Sequence, residues 1–187
     1  MFTTSESGVV LSWTQDRQYL LIRRNNPKTG ADLVAVAATG QPSPIVVAQS
    51  AHEETEGQFS PNGKWVALVA NDSGRPEVFL QSFPGATNRT QVSTAGGTQV
   101  RWSPDGNEIF YIAPGGRMTS VSVALAGASP VVKPPVALFQ TDLATGTNVL
   151  GNKPQYAVAR DGRFLLNTAI ESPTAPIAVA ANWMKKP

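Results

Sequence analysis

The chain has 187 residues, of which 41% are hydrophobic and 15% are charged, so we expect one folded domain rather than a disordered chain. Its 15 basic and 13 acidic residues give a net charge of +2 without a basic stripe, which gives nucleic-acid binding little support. The absence of cysteine excludes disulfides, thiolate zinc sites and cysteine nucleophiles.

The first residues and the apolar runs bear on location. Residues 1–7 carry neither the basic region nor the apolar region of a signal peptide. No apolar run approaches the roughly 20 residues that a helix needs to span a bilayer. As the sequence is written, we expect a cytoplasmic protein without membrane contact.

Four copies of one pattern follow one another along the chain. Each copy has a large apolar anchor, a tight polar turn and an apolar run, and the anchors are Trp13, Phe59, Trp102 and Val158. The anchors lie 46, 43 and 56 residues apart, and a propeller blade takes about 40–45 residues. The Pro-Asn-Gly and Pro-Asp-Gly turns predict hairpins, because Pro sets φ, the Asx side chain caps the turn and Gly accepts positive φ.

Further strands are predicted after each hairpin, where runs of Val, Ile, Phe and Tyr alternate with Gly- and Pro-rich segments. These strands are residues 32–38, 44–48, 77–83, 90–93, 118–124, 136–140 and 177–181. The sequence therefore predicts an all-β fold, a single β-propeller-type domain over residues 1–187. Its four four-stranded blades are expected at approximately residues 8–49, 55–94, 98–141 and 154–184. The last blade lacks sequence for a fourth strand, and residues 1–4 are the local candidate to complete it.

Most of the conspicuous side chains have a predicted structural role. We expect the core between blades to contain Trp13, Trp65, Trp102 and Trp183. The Asx residues of the turns are expected to cap them, namely Asp16, Asn62, Asp105 and Asp161.

The Ser-Pro-Asx-Gly turns resemble the repeat signature of the TolB-like, WD-repeat-like β-propellers of bacteria. The resemblance extends to the propeller region at the C-terminus of some bacterial serine/threonine kinases and winged-helix regulators, through residues 57–63, 73–79, 82–85, 91–94, 176–177 and 182–183. It implies the fold and no activity, because the turn is structural and neither the kinase nor the DNA-binding module is present. Such propellers usually have about six blades and are partly extracytoplasmic. The first turn departs from the signature, since Thr14-Gln15-Asp16-Arg17 replaces Ser-Pro-Asp-Gly.

An acidic loop with the sole histidine precedes the inner strand of the second blade, with the sequence His-Glu-Glu-Thr-Glu over residues 52–56. Alternate side chains of extended backbone point the same way, so His52, Glu54 and Glu56 are predicted to hold a divalent metal ion. The alternative is a solvated acidic loop that keeps a strand edge soluble. In a hydrolase, His52 and Glu54 would be the catalytic residues, with the metal activating water against an ester or phosphoester.

Polar residues close to the anchors of the inner strands are candidates for ligand binding, namely Arg101, Gln99, Gln58 and Glu56. An arginine near the channel of a propeller can hold a phosphate or carboxylate bidentately. The alternative for Arg101 is an ion pair with a neighbouring blade, for which Glu56 is the candidate partner.

No catalytic motif is present, because the chain has neither a Gly-x-Ser-x-Gly elbow nor a phosphate loop. We therefore expect a non-catalytic scaffold or sensor that binds a protein or small-molecule ligand on its channel face. A weak or promiscuous metal-assisted hydrolase is the alternative. A four-blade arc would leave its end faces and a strand edge uncovered, so a homo-oligomer, specifically a two-fold dimer, is also expected. The alternative is a compact four-bladed monomer in which residues 1–4 close the last blade.

Overall fold

A computed structural model of the chain describes residues 8–39, 43–126, 129–143 and 154–168, and the backbone of residues 179–180. Every regular element in that part of the chain is a β-strand, and none is a helix able to span a membrane. The strands are β1 (Gly8–Trp13), β2 (Tyr19–Asn26), β3 (Gly30–Ala37), β4 (Ile45–Ala48), β5 (Glu54–Phe59), β6 (Trp65–Ala70), β7 (Glu77–Ser82), β8 (Arg89–Gln91), β9 (Thr98–Trp102), β10 (Glu108–Ala113), β11 (Arg117–Ala124), β12 (Val131–Val132), β13 (Val136–Gln140), β14 (Tyr156–Val158), β15 (Phe164–Leu166) and β16 (Val179–Ala180).

The strands form four antiparallel sheets, each made of strands consecutive in sequence. We name them blade 1 (β1–β4), blade 2 (β5–β8), blade 3 (β9–β13) and blade 4 (β14–β16). In blade 3 the long strand β11 pairs with both β12 and β13, which gives that sheet a fifth strand. This architecture confirms the predicted all-β fold of propeller blades.

The turns after the anchors of blades 1, 2 and 3 are held by one set of side-chain hydrogen bonds. In blade 2, the Ser60 hydroxyl donates to Asn62 Oδ1 over 2.7 Å and accepts from the Trp65 N–H over 3.0 Å. In blade 1, Thr14 replaces the serine and donates to Asp16 Oδ1 over 2.6 Å. Arg17 takes the glycine position with φ of 60°. The turn of blade 1 therefore keeps the geometry of the repeat although its sequence departs from the signature.

Three apolar clusters lie between successive blades. Phe59 packs in the cluster between blades 1 and 2, and Trp102 packs with Trp65 in the cluster between blades 2 and 3. Each of these anchors faces the preceding blade, because Phe59 meets residues of blade 1 and Trp102 meets residues of blade 2. The core prediction is confirmed for Trp65 and Trp102, both buried, whereas Trp183 lies outside the described residues.

The core prediction is wrong for Trp13, whose side chain is 53% exposed. Trp13 pairs across β1 and β2 with Leu20, and the next residue, Leu21, belongs to the cluster between blades 1 and 2. Because side chains alternate along a strand, Trp13 and Leu20 face away from blade 2. The anchor of blade 1 therefore points to the side on which a preceding blade would pack, and the described residues include no such blade.

Candidate binding site on the inner strands

The first strand of each blade contacts the first strand of the next, so β1, β5, β9 and β14 form a continuous inner surface. Inner strands line the central channel in β-propellers. Side chains that are distant in the sequence therefore meet on this surface, and all four residues predicted to bind a ligand lie on β5 or β9.

In blades 1 and 2, the residue that precedes the anchor forms a hydrogen bond to the next blade. In blade 1, Ser12 Oγ accepts the N–H of Phe59 over 3.2 Å. In blade 2, Gln58 Oε1 accepts the N–H of Trp102 over 2.8 Å, and the indole N–H of Trp102 donates to the Gln58 carbonyl over 3.1 Å. The side chain of Gln58 therefore holds blade 2 to blade 3, and this bond occupies its amide oxygen.

Arg101 interrupts this series. It occupies the same position in blade 3, but a guanidinium group has no acceptor atom and cannot repeat the bond. The bond to blade 4 comes instead from Gln99, whose Oε1 accepts the N–H of Gln155 over 2.6 Å. Gln99 has a φ of 58°, in the left-handed region that residues other than glycine rarely adopt. Arg101 therefore does not join its blade to the next one, as Ser12 and Gln58 do.

Glu56 is a buried carboxylate on β5. Its Oε2 atom has no hydrogen-bond partner among the described residues. Burial raises the pKa of Glu56 to about 7, although hydrogen bonding to the backbone of Gln99 and Val100 and the charges of Arg101 and Arg23 act to lower it. Near neutral pH this carboxyl group therefore exists in both its neutral and its charged form.

Arg101 and Tyr156 extend the polar site towards blades 3 and 4. Burial lowers the pKa of Arg101, while electrostatic interactions with Tyr156 and Glu56 raise it. The hydroxyl of Tyr156 is buried and lacks a partner among the described residues. Burial raises the pKa of Tyr156 well above its ordinary value, so this group remains a neutral hydrogen-bond donor.

Arg101 and Glu56 interact electrostatically without forming a contact ion pair. No ion pair within 4.0 Å joins them in the part of the chain that the structure describes. Among the described residues, the one hydrogen bond of the guanidinium is donated from Nη1 to the carbonyl oxygen of Val100, over 3.1 Å. A half-buried cation thus lies close to two buried polar groups with unused hydrogen-bonding capacity, and buried polar groups are usually satisfied by a partner or ordered water.

The structure does not gather the predicted metal ligands around one point. His52 is exposed, and Glu54 is buried with its Oε1 accepting from the Ser50 hydroxyl over 2.7 Å. A bulge between Glu54 and Glu56 breaks the regular alternation of β5. Within the described ranges, no three His, Asp or Glu side chains are close enough to hold a metal ion. The metal site of His52, Glu54 and Glu56 therefore remains a prediction.

Glu54 has its own unusual environment. Burial raises the pKa of Glu54 above its ordinary value, and the hydrogen bond from Ser50 acts in the opposite direction. Its Oε2 atom has no hydrogen-bond partner among the described residues. The backbone N–H of His52 donates to the same Ser50 hydroxyl over 3.0 Å, so the three residues form one small polar cluster at the start of β5.

Sequence reasoning missed Tyr156. It lies two residues before the anchor Val158, and the other blades have Leu11, Gly57 and Val100 at this position. A hydroxyl group at an otherwise apolar position of the repeat is the signal that could have identified it.

Comparison with solved structures identifies the fold. TolB from Acinetobacter baumannii is 16% identical, with a TM-score of 0.59 over 95% of this chain and 42% of its own. An oligogalacturonate lyase in complex with manganese is 15% identical, with a TM-score of 0.61 over 91% of this chain and 49% of its own. A gluconolactonase from Xanthomonas campestris is 11% identical, with a TM-score of 0.54 over 83% of this chain and 54% of its own.

These similarities establish a TolB-like β-propeller fold, present as a run of four blades. The chain spans about half the length, or less, of the solved propellers that it matches. No family model and no curated protein matches the sequence. The similar proteins include both TolB and enzymes, so the shared fold does not distinguish binding from catalysis.

Proposed function

We propose that the chain is a non-catalytic binding module whose inner surface takes a protein or small-molecule ligand. The observation that carries the proposal is the exception at Arg101. Where the repeat uses Ser12 and Gln58 to join blades, this position carries a cation beside the unsatisfied polar atoms of Glu56 and Tyr156. Arg101 does not form the hydrogen bond between blades that Ser12 and Gln58 form, and it lies instead at a polar site with unsatisfied atoms. This arrangement supports a role for Arg101 in ligand recognition.

Ligand-observed NMR with a mixed library of short peptides and small metabolites tests the proposal. We expect at least one ligand class to bind the wild type and to lose binding in Arg101→Gln. The matched control is Arg117→Gln, because Arg117 is an exposed arginine of the same blade. Ligands bound equally well by the wild type and Arg101→Gln would refute the inner surface as the binding site.

A metal-assisted hydrolase is the second candidate function. The buried Glu54 carboxyl group, whose Oε2 has no hydrogen-bond partner among the described residues, is the observation that favours it. Among the similar propellers, one is a lyase in complex with manganese and another is a gluconolactonase. A hydrolase of this kind would use His52 and Glu54 with a divalent ion to activate water.

Ester and phosphoester hydrolysis, with and without a chelator, separates the two functions. The binding proposal predicts no turnover above background in either condition. Turnover that the chelator removes, and that His52→Ala and Glu54→Ala also remove, would establish the hydrolase instead.

A further inference from the structure

The turn between β5 and β6 contains the one asparagine of the sequence that a glycine follows, Asn62 before Gly63. We propose that Asn62 is a self-modification site, which releases its side-chain amide as ammonia and becomes aspartate, with water as the co-reactant. The site involves none of the residues that are proposed to bind a ligand, so this inference is independent of the proposed function.

The reaction joins the backbone nitrogen of Gly63 to the side chain of Asn62. The nitrogen gives its proton to water and forms a bond to Cγ of Asn62, while the bond from Cγ to Nδ2 breaks and the amide leaves as ammonia. Water then opens the resulting cyclic imide. Opening at Cγ gives aspartate, and opening at the main-chain carbonyl carbon gives isoaspartate, in which the main chain runs through the former side chain.

The turn holds the reacting amide in one orientation. Oδ1 of Asn62 accepts hydrogen bonds from the Ser60 hydroxyl over 2.7 Å and from the Lys64 N–H over 3.0 Å. Negative charge develops on this oxygen when the Gly63 nitrogen attacks Cγ, and donors that are already in place stabilise such charge. Both hydrogen bonds therefore favour the attack.

The surroundings of Asn62 leave room for the reaction. Asn62 is exposed and lines an open cleft of about 300 Å³ between the turns of blades 2 and 3. Its Nδ2 atom forms no hydrogen bond among the described residues, so ammonia can leave into solvent. The N–H of Gly63 donates to the Ser60 carbonyl over 2.9 Å. This bond must break before the nitrogen attacks, so we expect a gradual conversion.

The turn of blade 3 already contains the product of the reaction. Asp105 occupies the position of Asn62 and accepts from the Ser103 hydroxyl over 2.6 Å and from the Asn107 N–H over 3.1 Å. These two bonds lower the pKa of Asp105, so they stabilise its charged form. An aspartate at position 62 would keep the bonds from Ser60 and Lys64 as charge-assisted ones. Isoaspartate would lengthen the main chain and disrupt them, so the folded turn favours aspartate.

Peptide mapping by mass spectrometry tests the inference, on the full chain incubated in mildly alkaline buffer, and released ammonia is the second readout. Asn62 should convert at least about tenfold faster than Asn107, an exposed asparagine followed by glutamate, because glycine has no Cβ to hinder ring closure. Aspartate should be the main product in the folded chain. Isoaspartate should predominate in the chain unfolded in urea, where no turn selects the product.

Variants connect the conversion to the turn. Gly63→Ala should slow it at least about tenfold, since the new Cβ hinders the attacking nitrogen. The matched control is Gly74→Ala, which places a Cβ at a φ of 82° with no atom within 4 Å and should convert like the wild type. Asn62→Asp should release no ammonia from this position and should be at least as stable as the wild type. Thermal unfolding of each variant shows whether it is folded.

Three results would overturn the inference. Equal rates for Asn62 and Asn107 would mean that the turn of blade 2 has no special reactivity. Isoaspartate as the main product of the folded chain would mean that the turn does not select aspartate. A clearly destabilised Asn62→Asp would mean that this turn does not accept the product as the turn of blade 3 accepts Asp105.

Discussion

Residues at matching positions of the four blades separate structural roles from functional ones. Ser12, Gln58 and Arg101 occupy one position, yet only the first two accept a hydrogen bond from the next blade. Glu56 and Gln99 lie three residues before their anchors, and Gln99 joins blades through a neutral amide. At each position, one blade has a charged residue, Arg101 or Glu56, where another blade joins its neighbour through a neutral polar side chain.

Glu56 should make stability depend on pH. Its pKa rises from an ordinary 4.5 to about 7 in the folded chain, which corresponds to about 3 kcal/mol. Between these pH values the folded state holds a proton that the unfolded chain has released. The stabilisation is therefore complete below pH 4.5 and is lost as the pH rises through 7.

Urea unfolding at a series of pH values between 4.5 and 8 measures this effect. We expect the free energy of unfolding of the wild type to fall with pH, and that of Glu56→Gln to fall less. A residual slope is expected in the variant, because the pKa of buried Glu54 is also raised. Exposed Glu53 supplies the control Glu53→Gln, and parallel curves for the wild type and Glu56→Gln would contradict the prediction.

The two anchor tryptophans of blades 1 and 3 should differ in their contribution to stability. Trp102 is 4% exposed and donates its indole N–H to Gln58, so Trp102→Ala should destabilise the chain by about 3–5 kcal/mol. Trp13→Ala removes an exposed side chain and should change the stability of the monomer far less. Chemical denaturation of both variants checks this, and equal losses would show that Trp13 is covered in solution.

At the scale of the element, the turn of blade 1 shows how a substituted sequence keeps its geometry. Thr14 and Asp16 reproduce the bonds of Ser60 and Asn62. Arg17 donates its N–H to the Thr14 carbonyl over 2.9 Å, as Gly63 does to Ser60. The hydroxyl and Asx side chains therefore hold the turn. Arg17, which adopts the left-handed conformation, carries backbone strain.

Arg17→Gly should stabilise the chain, because glycine adopts positive φ without strain. Glycine also has more conformational freedom in the unfolded state, which offsets part of this gain and limits it to about 1 kcal/mol. The matched control is Gly63→Ala in the turn of blade 2, where φ is 68° and the nearest atom to an added Cβ is 4.0 Å away. That control introduces strain without a clash, so it should destabilise. Thermal unfolding measures both, and a destabilised Arg17→Gly would mean that the arginine side chain itself holds the turn.

For the whole molecule, the two ends of the arc present different apolar features. At one end Trp13 protrudes from the face of blade 1 that points away from blade 2. At the other end an open cleft of about 320 Å³ is lined by Ala157 and Leu165, which face away from blade 3. No extensive contact joins the described strands of blades 1 and 4, so these strands do not cover each other.

We propose that a second copy of the chain covers both end faces. Blade 1 of each copy would pack against blade 4 of the other, giving a two-fold ring of eight blades. Propellers close with about four to eight blades, and a protruding apolar group that fits a concavity elsewhere on the same molecule drives head-to-tail association. An exposed apolar surface of this kind is uncommon on soluble monomers.

Sedimentation equilibrium at micromolar concentration should show a dimer with twice the chain mass of 19.8 kDa. Trp13→Ser should shift the equilibrium towards the monomer, because it removes the apolar contact. Val131→Ser is the control, since Val131 is exposed to a similar extent on β12, away from both end faces. A single species of 19.8 kDa for the wild type would exclude the dimer.

What the sequence determined by itself is local. The Ser-Pro-Asn-Gly turn at residues 60–63 and its counterpart at 103–106 predict hairpins from the chemistry of adjacent residues, and the apolar runs beside them predict strands. Bonds within such a turn join atoms two to five residues apart, as between Ser60 and Trp65. A linear pattern therefore contains all the information that these elements need.

The tertiary structure alone decided the roles of the polar residues and of the first anchor. Gln58 and Gln99 were candidates for ligand binding, but the structure uses them to join blades, through bonds to residues 44 and 56 positions away. Tyr156 reaches the surroundings of Glu56 and Arg101 only because β14 packs beside β9. Trp13 has the sequence of a core anchor and is exposed because no described blade precedes it. Contacts between blades depend on how the sheets pack. The repeat pattern along the chain does not indicate which side chains of neighbouring blades come into contact.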